Sequence, residues 1–226
     1  MRVWDVHPGY LARQQLLGEH RELHGLASIL IHNKKGYANH PETKRWVGYL
    51  PALAMRHRQL ACEMALRGYQ DRSPLPVEGD VVWPEIWIDP PNRQFELLRG
   101  KYAADDRSGR IPLPSNTQQL WAQHKYSVMA SDPKLYSELG GEVAHGKYAD
   151  DMEGLALLLI TTIRIRPTAG RLRNALLHMW GYVSDDGAKP AENDGQLVLQ
   201  LQKLAEEQEK TYLLASTALS DLAAWC

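Results

Sequence analysis

Prolines in the middle of the chain constrain its fold more than any other sequence feature. Each proline removes a backbone N–H donor and clashes with the preceding turn of a helix. Regular helix is therefore not expected over most of residues 71–116, and this stretch is predicted to be a long connector. Seven of the chain's 13 prolines lie within it: Pro74, Pro76, Pro84, Pro90, Pro91, Pro112 and Pro114.

The sequence before the connector favours helix. Apolar residues recur at close to helical spacing from residue 8 to residue 31, which predicts one long helix. A second helix is predicted over residues 46–67, with Gly68 as its stop signal and with a kink or break at Pro51.

Helical segments are also predicted after the connector, and together they indicate a mainly α fold with two helical domains joined by a Pro-rich connector. The predicted domains are 1–75 and 117–226, and the segment that links them is 76–116, so the first five residues of the connector stretch 71–116 are counted with the first domain. The predicted helices of the second domain are 117–131, 133–144, 149–164, 170–183, 193–209 and 212–224.

The charge of the chain is unevenly distributed. The 226 residues are 44% apolar and 23% charged, which suits a folded core, and the formal net charge is only −1. Residues 1–70 nevertheless hold ten Lys and Arg against five Asp and Glu, so this stretch has a net charge of +5 and the remainder −6. A basic stretch of this kind indicates a nucleic-acid-binding face, with a solvated charged surface as the alternative.

Membrane insertion and disulfide bonding are not expected. The longest apolar run, Leu155–Ile160, is far shorter than the roughly 20 residues of a membrane span. The N-terminus has no apolar signal segment, so a cytoplasmic location is expected. Cys62 and Cys226 are too few and too far apart for a disulfide framework or a metal cluster, and both are expected to be reduced.

The N-terminal sequence contains a recognisable motif. Leu-Leu-Gly-Glu-His-Arg-Glu-Leu at 16–23, behind an N-terminus reading Met-Arg-Val-Trp, resembles the pyrimidine-dimer DNA glycosylases, the "endonuclease V" repair enzymes of phages and bacteria. The resemblance continues through Lys-Lys-Gly at 34–36 to Arg-Gly-Tyr at 67–69, about the first 75 residues.

The resemblance implies an activity and a set of site residues. It implies a DNA-repair glycosylase with AP-lyase activity on pyrimidine dimers in double-stranded DNA, working without a cofactor. The nucleophile would be the α-amine of Met1, followed by Arg2. Arg21 and Glu22 match the Arg-Glu pair of the family's first helix, and Gln14 matches a glutamine eight residues before that glutamate.

The chemistry of imine formation supports the same assignment. An amine must be unprotonated to attack the sugar C1′ atom, and a free α-amine with a pKa of about 7.7 is roughly one-sixth unprotonated at pH 7. An ordinary lysine is unprotonated only to a few parts in ten thousand. Because Arg2 is bulky, Met1 is expected to be retained and to supply the amine after deformylation. Glu22 is the candidate for the proton transfers.

Two glycines share the helix face of Glu22. Gly18 lies about one turn before it and Gly25 about one turn after it, at a cost of about 1 kcal/mol each relative to alanine. They would leave a groove on both sides of the carboxylate, or they would allow close helix packing, which spacing alone favours. The residues expected to contact DNA are Arg2, Gln14, His20, Arg21, Lys34, Lys35, Lys44 and Arg45.

The sequence departs from the phage enzyme at two places. Gly25 stands where that enzyme has a second arginine, and its aromatic C-terminal segment has no clear counterpart. Trp83 and Trp87 are candidates to stack on bases in its place, or they belong to the core. The lesion is therefore left open between a pyrimidine dimer, an abasic site and another damaged base.

Two histidines of the same helix offer a rival interpretation. His20 and His24 are four residues apart, a spacing used in zinc sites, and His7, His32 or His40 would be the third ligand. The glutamate of the zinc-protease pattern directly follows its first histidine, whereas Glu22 comes two residues later. We therefore expect no metal, and metal-dependent nuclease action is a minor alternative.

The C-terminal half has motifs of its own. The stretches at 121–130 and 174–182 resemble an uncharacterised helical domain known as YbgA-like, which has no settled activity. Thr168 is a candidate helix cap beside the arginines Arg164, Arg166, Arg171 and Arg173, so a nucleic-acid-binding accessory role is expected. An interaction module is the alternative, and Tyr126, Met129, Trp180 and Tyr182 are expected in its core.

A second function for the whole chain also remains open. The basic stretch and the motif suit a non-catalytic module that binds damaged or modified nucleic acid. The oligomeric state is left open.

Overall fold

Helices form the regular structure of this protein, and the mainly α prediction is confirmed. The computed structural model describes residues 1–104, 107–184 and 188–226, and no β-strand occurs in that part of the chain. Within the same part, no helix is long and apolar enough to cross a bilayer. The α-helices are α1 (Arg13–His32), α2 (Pro41–Arg45), α3 (Leu50–Leu66), α4 (Pro91–Ala103), α5 (Thr117–Ser131), α6 (Pro133–Ala144), α7 (Met152–Ile163), α8 (Ala169–Trp180), α9 (Asp194–Glu207), α10 (Thr211–Leu214) and α11 (Ala218–Asp221); Pro8–Tyr10 and Leu222–Trp225 are 3-10 helices.

The helices of the C-terminal half lie close to their predicted positions. α5 and α6 have the predicted bounds, and α7, α8 and α9 differ from prediction by at most three residues at either end. The last predicted helix, 212–224, is instead broken into α10, α11 and a 3-10 turn. It breaks because the Thr217 N–H donates to the carbonyl of Gln123 in α5, at 2.8 Å, instead of continuing a helix.

The two N-terminal helices begin later than predicted. The predicted helix over 8–31 is divided, since His7 accepts a hydrogen bond from the Gly9 N–H and closes a 3-10 turn before α1 begins. The predicted kink at Pro51 was wrong: α3 begins at Leu50, so this proline lies in the first turn. A proline there interrupts no helical hydrogen bond, because first-turn N–H groups have no partner within the helix.

The connector contains one helix, α4, which its proline-rich sequence did not predict. Residues 92–111 are free of proline, and α4 occupies the first part of that interval, with Pro91 in its first turn. Phe95, Leu98 and Tyr102 of α4 are buried. Part of the connector is therefore built into the core.

Two clusters of buried apolar residues form the interior, and α5 contributes to both. The first cluster extends from Val3 to Ile163, across α1, α3, α4 and α7. The second surrounds the other side of α5 and includes α8, α9 and the C-terminal turns. The N-terminal helices therefore share their core with α4 to α7, and this arrangement supports the N-terminal segment described next.

Candidate functional site

The N-terminal segment, residues 1–7, lies extended between three helices. The backbone N–H groups of residues 3–5 donate in turn to the side chains of Glu42 (3.1 Å), Glu19 (3.2 Å) and Gln94 (2.7 Å). These acceptors belong to α2, α1 and α4. Because each amide is bound by a different helix, the segment has one defined path through the protein.

A buried ion-pair network holds this path in place. Asp5 accepts two hydrogen bonds from Arg45, at 2.9 and 2.7 Å, and one from Arg164, at 2.5 Å. Burial alone would raise the pKa of the Asp5 carboxyl, but Arg45 and then Arg164 outweigh burial and lower it. Glu19 pairs in the same way with Arg56, at 2.8 and 3.0 Å. Removing one partner of such a pair leaves an uncompensated buried charge.

The segment ends at the predicted catalytic pair. Residues 3–7 are buried, whereas Met1 and Arg2 are partly exposed, so the chain reaches the surface at its first residue. The Met1 amine lies 3.9 Å from Oε1 of Glu22, whose side chain is 44% exposed. An amine and a carboxylate, the two groups that imine chemistry needs, are therefore neighbours at the surface.

The glycines beside Glu22 face open space. A methyl group placed on Gly18 or on Gly25 would meet no atom within 4 Å outside its own helix and chain neighbours. Close helix packing, the interpretation that spacing alone favoured, was wrong for both. No side chain projects from the helix at these two positions, so the surface on either side of the Glu22 carboxylate is accessible.

Most of the predicted DNA-contact residues are at the surface. The exposed ones are Gln14, Arg21, Lys34, Lys35 and Lys44. The Lys34 ammonium donates to Ser28 at 2.7 Å, and Gln14 accepts from Arg107. Arg2 is half-buried, pairs with Asp89 at 2.5 Å and lies over the ring of Trp4.

Arg45 is located differently from the expectation. Its side chain is only 2% exposed and is paired with Asp5. A guanidinium in this position cannot reach a DNA phosphate, because it lies inside the protein and supports the N-terminal segment. The sequence could not distinguish it from the exposed Lys44 that precedes it.

The two tryptophans of the connector hold an arginine. The guanidinium of Arg164 lies 4.5 Å from the ring centres of both Trp83 and Trp87. Both indoles are partly buried against the first core cluster. The pair therefore supports Arg164, which in turn binds Asp5.

Four potential metal ligands converge on one side of α1. This histidine cluster consists of His20, His24, His57 and Asp71, whose ligand atoms all lie within 4.8 Å of one another. Nε2 of His57 lies 3.1 Å from Nε2 of His24, and Nε2 of His20 lies 3.2 Å from an oxygen of Asp71. The predicted DNA-contact residue His20 thus faces this cluster.

Two imidazoles of the cluster have a lowered pKa. Burial and then the neighbouring His20 lower the pKa of His57 to about 4, and the same two causes lower the pKa of His24. Burial alone would raise the pKa of Asp71, but the Ser73 N–H and the nearby imidazoles lower it.

The candidate third ligands named from the sequence all lie elsewhere. His7 is buried and accepts a hydrogen bond from Gly9. His32 is exposed at the end of α1, and His40 accepts from the Glu42 N–H at the start of α2. The actual neighbours, His57 and Asp71, are 33 or more residues from the first two histidines in sequence, so local spacing gave no signal for them.

The supporting residues of the N-terminal segment were also not predicted. Glu19 and Glu42 are glutamates within helices and have the appearance of surface residues in sequence. Gln94 lies 89 residues from Asp5, and Arg164 lies 159 residues away. No periodicity or motif connects partners at such separations.

The predicted features of the second half are largely where they were expected. Thr168 caps α8 by accepting from the Arg171 N–H, as predicted. Three of the four residues predicted in the core, Tyr126, Met129 and Trp180, are buried. Tyr182 was wrongly placed in the core, because its side chain lies beside Tyr212 at the surface and it is 45% exposed.

Three of the four arginines near Thr168 have intramolecular partners. Arg171 donates to the carbonyl of Ser131, and Arg173 donates to Ala191 and to Asp194. Arg166 is exposed. With Arg164 bound to Asp5, this group contributes to folding at three of its four positions.

Comparison with known protein families gives two matches. Residues 1–77 match the family model described as pyrimidine dimer DNA glycosylase. Residues 125–200 match a family described as a protein of unknown function, DUF1722. No curated protein and no solved structure matches the chain. The chain thus joins a segment that resembles the pyrimidine dimer DNA glycosylases to a segment that resembles an uncharacterised family, as the sequence analysis predicted.

Proposed function

We propose that this protein is a DNA-repair glycosylase with an associated AP-lyase activity. Its proposed substrates are pyrimidine dimers, or related damaged or abasic nucleotides, in double-stranded DNA. The α-amine of Met1 is the proposed nucleophile and Glu22 the proposed catalytic carboxylate. The observation that carries the proposal is their separation of 3.9 Å, within a segment that matches the pyrimidine dimer DNA glycosylases.

The support of the N-terminal segment favours a catalytic role for the amine. A chain terminus is usually frayed unless other parts of the protein bind its backbone. Here the amides of residues 3–5 are bound by three helices, immediately behind Met1. Holding a nucleophile at a fixed point lowers the entropic barrier to its attack.

The proposed reaction proceeds through an imine. The free amine attacks C1′ of the damaged nucleotide, the C1′–N bond to the base breaks, and the departing base takes up a proton. The nitrogen then loses one proton, the C1′–O4′ bond breaks with uptake of a proton at O4′, and the C1′=N bond forms as a protonated imine. Removal of a proton from C2′ then breaks the C3′–O bond on the 3′ side. Glu22 is suited to accept and return these protons.

The proposed DNA-binding surface follows α1. Arg21 lies next to Glu22 in sequence, and Lys34, Lys35 and Lys44 provide exposed cations beyond the far end of the helix. From Glu22 to the end of α1 is roughly 15 Å at the helical rise, about four base pairs of duplex. Contacts of this kind position the DNA without reading its sequence. We leave out Arg45, which is buried, and His20, which faces the histidine cluster.

Borohydride trapping on defined DNA tests the proposal. Untagged protein whose N-terminus is verified as Met1 is mixed with duplexes that carry either a thymine dimer or an abasic site, and the reduced adduct is mapped by peptide mass spectrometry. We expect an adduct on the Met1 amine with both duplexes. An adduct with the abasic duplex alone would retain the imine mechanism and exclude the dimer as substrate.

Matched variants separate the roles of the two groups. Glu22→Gln is expected to lower the rate of strand cleavage by about 10²- to 10⁴-fold, the usual contribution of a positioned acid or base. Glu206→Gln, an exposed position of α9, is expected to retain the full rate. Blocking the amine by acetylation should abolish the adduct. Lesion-dependent binding without an adduct would instead identify a binding module, and strand cleavage that requires a divalent ion and gives no adduct would identify a nuclease.

A further inference from the structure

The geometry of the histidine cluster matches that of a tetrahedral metal site. A zinc ion bound by four ligands at about 2.1 Å keeps neighbouring ligand atoms roughly 3.4 Å apart. The separations here are 3.1 Å between the Nε2 atoms of His57 and His24, 3.2 Å from His20 Nε2 to Asp71 Oδ1 and 3.8 Å from His57 Nε2 to Asp71 Oδ2. All four ligand atoms lie within 4.8 Å of one another. Small side-chain movements would therefore place all four ligand atoms around one ion.

The ligand atoms also have the chemistry that zinc prefers. Each of the three imidazoles presents its Nε2 atom to the cluster, and Asp71 presents its carboxylate. Imidazole nitrogen together with a carboxylate oxygen is a typical zinc donor set, whereas Mg²⁺ and Ca²⁺ prefer sets of oxygens. The Ser73 N–H donates to Asp71 at 2.9 Å, and a hydrogen bond of this kind orients a ligating carboxylate.

The ligands come from three separate parts of the chain. His20 and His24 lie one turn apart on α1, His57 lies on α3, and Asp71 lies at the start of the connector. The described connector residues between Gly68 and α4 form no helix or strand. An ion at this point would fasten that irregular segment to the two helices.

We propose that the histidine cluster binds one zinc ion through His20, His24, His57 and Asp71, and that this ion anchors the start of the connector to α1 and α3. Four protein ligands make the site a structural one, because a catalytic zinc keeps a position open for water. Glu22 and the Met1 amine lie outside the cluster. The proposal therefore does not depend on the proposed glycosylase activity.

A bound ion would also affect the groove beside the histidine cluster. A groove of about 550 Å³ adjoins the cluster, and both His57 and Asp71 line it. Its other wall is formed by the connector residues 74–78. Anchoring Asp71 would therefore fix the shape of this groove.

Metal analysis of the intact, untagged chain tests the proposal. The protein is stripped with chelator, incubated with zinc, desalted and analysed for metal by mass spectrometry. We expect one zinc ion per chain in the wild type and at least a tenfold weaker affinity in His24→Gln and Asp71→Asn. His32→Gln is the matched control, because His32 lies exposed on the same helix but outside the cluster. It is expected to bind one ion, as the wild type does.

Two measurements on the wild type keep the test decisive even where a variant folds poorly. Zinc at about 100 times its Kd should raise the melting temperature by about 5 to 10 °C, a shift that chelator reverses. Cobalt in place of zinc should give the strong visible absorption of a tetrahedral ion. No retained zinc in the wild type, or equal loss of zinc from His32→Gln and His24→Gln, would overturn the proposal. Borohydride trapping in chelator reports on the glycosylase proposal separately.

Discussion

Asp5 has more supporting contacts than any other residue of the N-terminal segment. It binds Arg45 and Arg164, and Gln94 donates to its Oδ2 atom at 2.9 Å. The same Gln94 side chain accepts the Asp5 N–H. The same contacts therefore hold Asp5 in position and stabilise its negative charge.

Neutralising Asp5 is expected to weaken both the fold and the proposed reaction. Asp5→Asn leaves two arginines without their buried partner, so we expect the free energy of unfolding to fall by about 3 to 5 kcal/mol. The rate of imine formation should fall as well, because the Met1 amine is then less well positioned. Urea unfolding and borohydride trapping measure the two effects.

Lys44→Ala is the control for this substitution. Lys44 is exposed and lies beside the buried Arg45, so its removal should change the free energy of unfolding by less than about 0.5 kcal/mol. A stability of Asp5→Asn as high as that of Lys44→Ala would contradict the role given to the buried network.

The buried carboxyl of Asp221 is expected to make the protein less stable as the pH rises from about 4 to 7. Burial raises the pKa of this carboxyl to about 7, against the favourable contacts of Ser127 and Gln59. Between about pH 4, the ordinary aspartate value, and pH 7 the unfolded chain has lost this proton while the folded chain still holds it. The unfolded state then binds fewer protons, so this group lowers stability as the pH rises through that range.

Replacing Asp221 by asparagine should remove this dependence. The free energy of unfolding of Asp221→Asn, relative to the wild type, is expected to increase from pH 4 to pH 7 by an amount on the order of a few kcal/mol. Denaturant unfolding at a series of pH values measures the difference. A constant difference across this range would rule out a protonated Asp221 in the folded state.

At the scale of helices, substitutions at the two glycines of α1 are expected to raise stability and to weaken DNA binding. Neither Gly18 nor Gly25 has a neighbour that a methyl group would meet. Alanine at each position should therefore stabilise the protein by about 1 kcal/mol. If the open surface beside Glu22 receives the DNA backbone, the same double variant should bind damaged duplex more weakly.

Gly141→Ala gives the comparison for this prediction. Gly141 is exposed in α6 and likewise has open space around it. It should gain similar stability and keep the DNA affinity of the wild type. Equal DNA affinity for all three proteins, measured by fluorescence anisotropy, would remove α1 from the proposed binding surface.

The helices that could be predicted from the sequence are those with strong local signals. Asn116 and Asp132 cap α5 and α6, and their side-chain hydrogen bonds fix the starts of both helices. α4 could not be predicted from proline content, because a proline in the first turn of a helix does not break it as one inside a helix does. The helix predicted over 212–224 does not form as one helix, because the Thr217 N–H donates to the Gln123 carbonyl of α5 instead of to a helical partner.

The candidate site divides in the same way. Met1 and Glu22 could be found from a local motif, and they lie together. Arg45, Gln94 and Arg164 could not be assigned, because their roles depend on tertiary contacts across as many as 159 residues. The same limit applies to His57 and Asp71 in the histidine cluster.

At the scale of the whole molecule, residues 1–77 have several buried contacts with the rest of the chain. Tyr10 donates to Gln123 of α5 at 2.8 Å, and buried Glu63 pairs with Arg110 of the connector at 2.7 Å. Arg164 completes the contacts of Asp5. The matched family segment 1–77 therefore lacks several of its structural partners when taken alone.

A fragment of residues 1–77 is accordingly expected to be unfolded or only partly folded, whereas the full chain unfolds cooperatively. Circular dichroism with thermal melting distinguishes the two, and residues 1–184 serve as a longer comparison that retains Arg110, Gln123 and Arg164. A cooperative transition in the short fragment at the melting temperature of the full chain would show that its core is independent.

The contact between Asp5 and Arg164 also sets an order of events during protein synthesis. Asp5 leaves the ribosome first, and its partner is added 159 residues later, roughly 8 to 30 s at ordinary elongation rates. During that interval the buried network that positions the first residue is incomplete. Nascent chains that lack residue 164 would therefore hold the proposed nucleophile loosely, and the proposed reactivity toward DNA would arise only after that residue has been added.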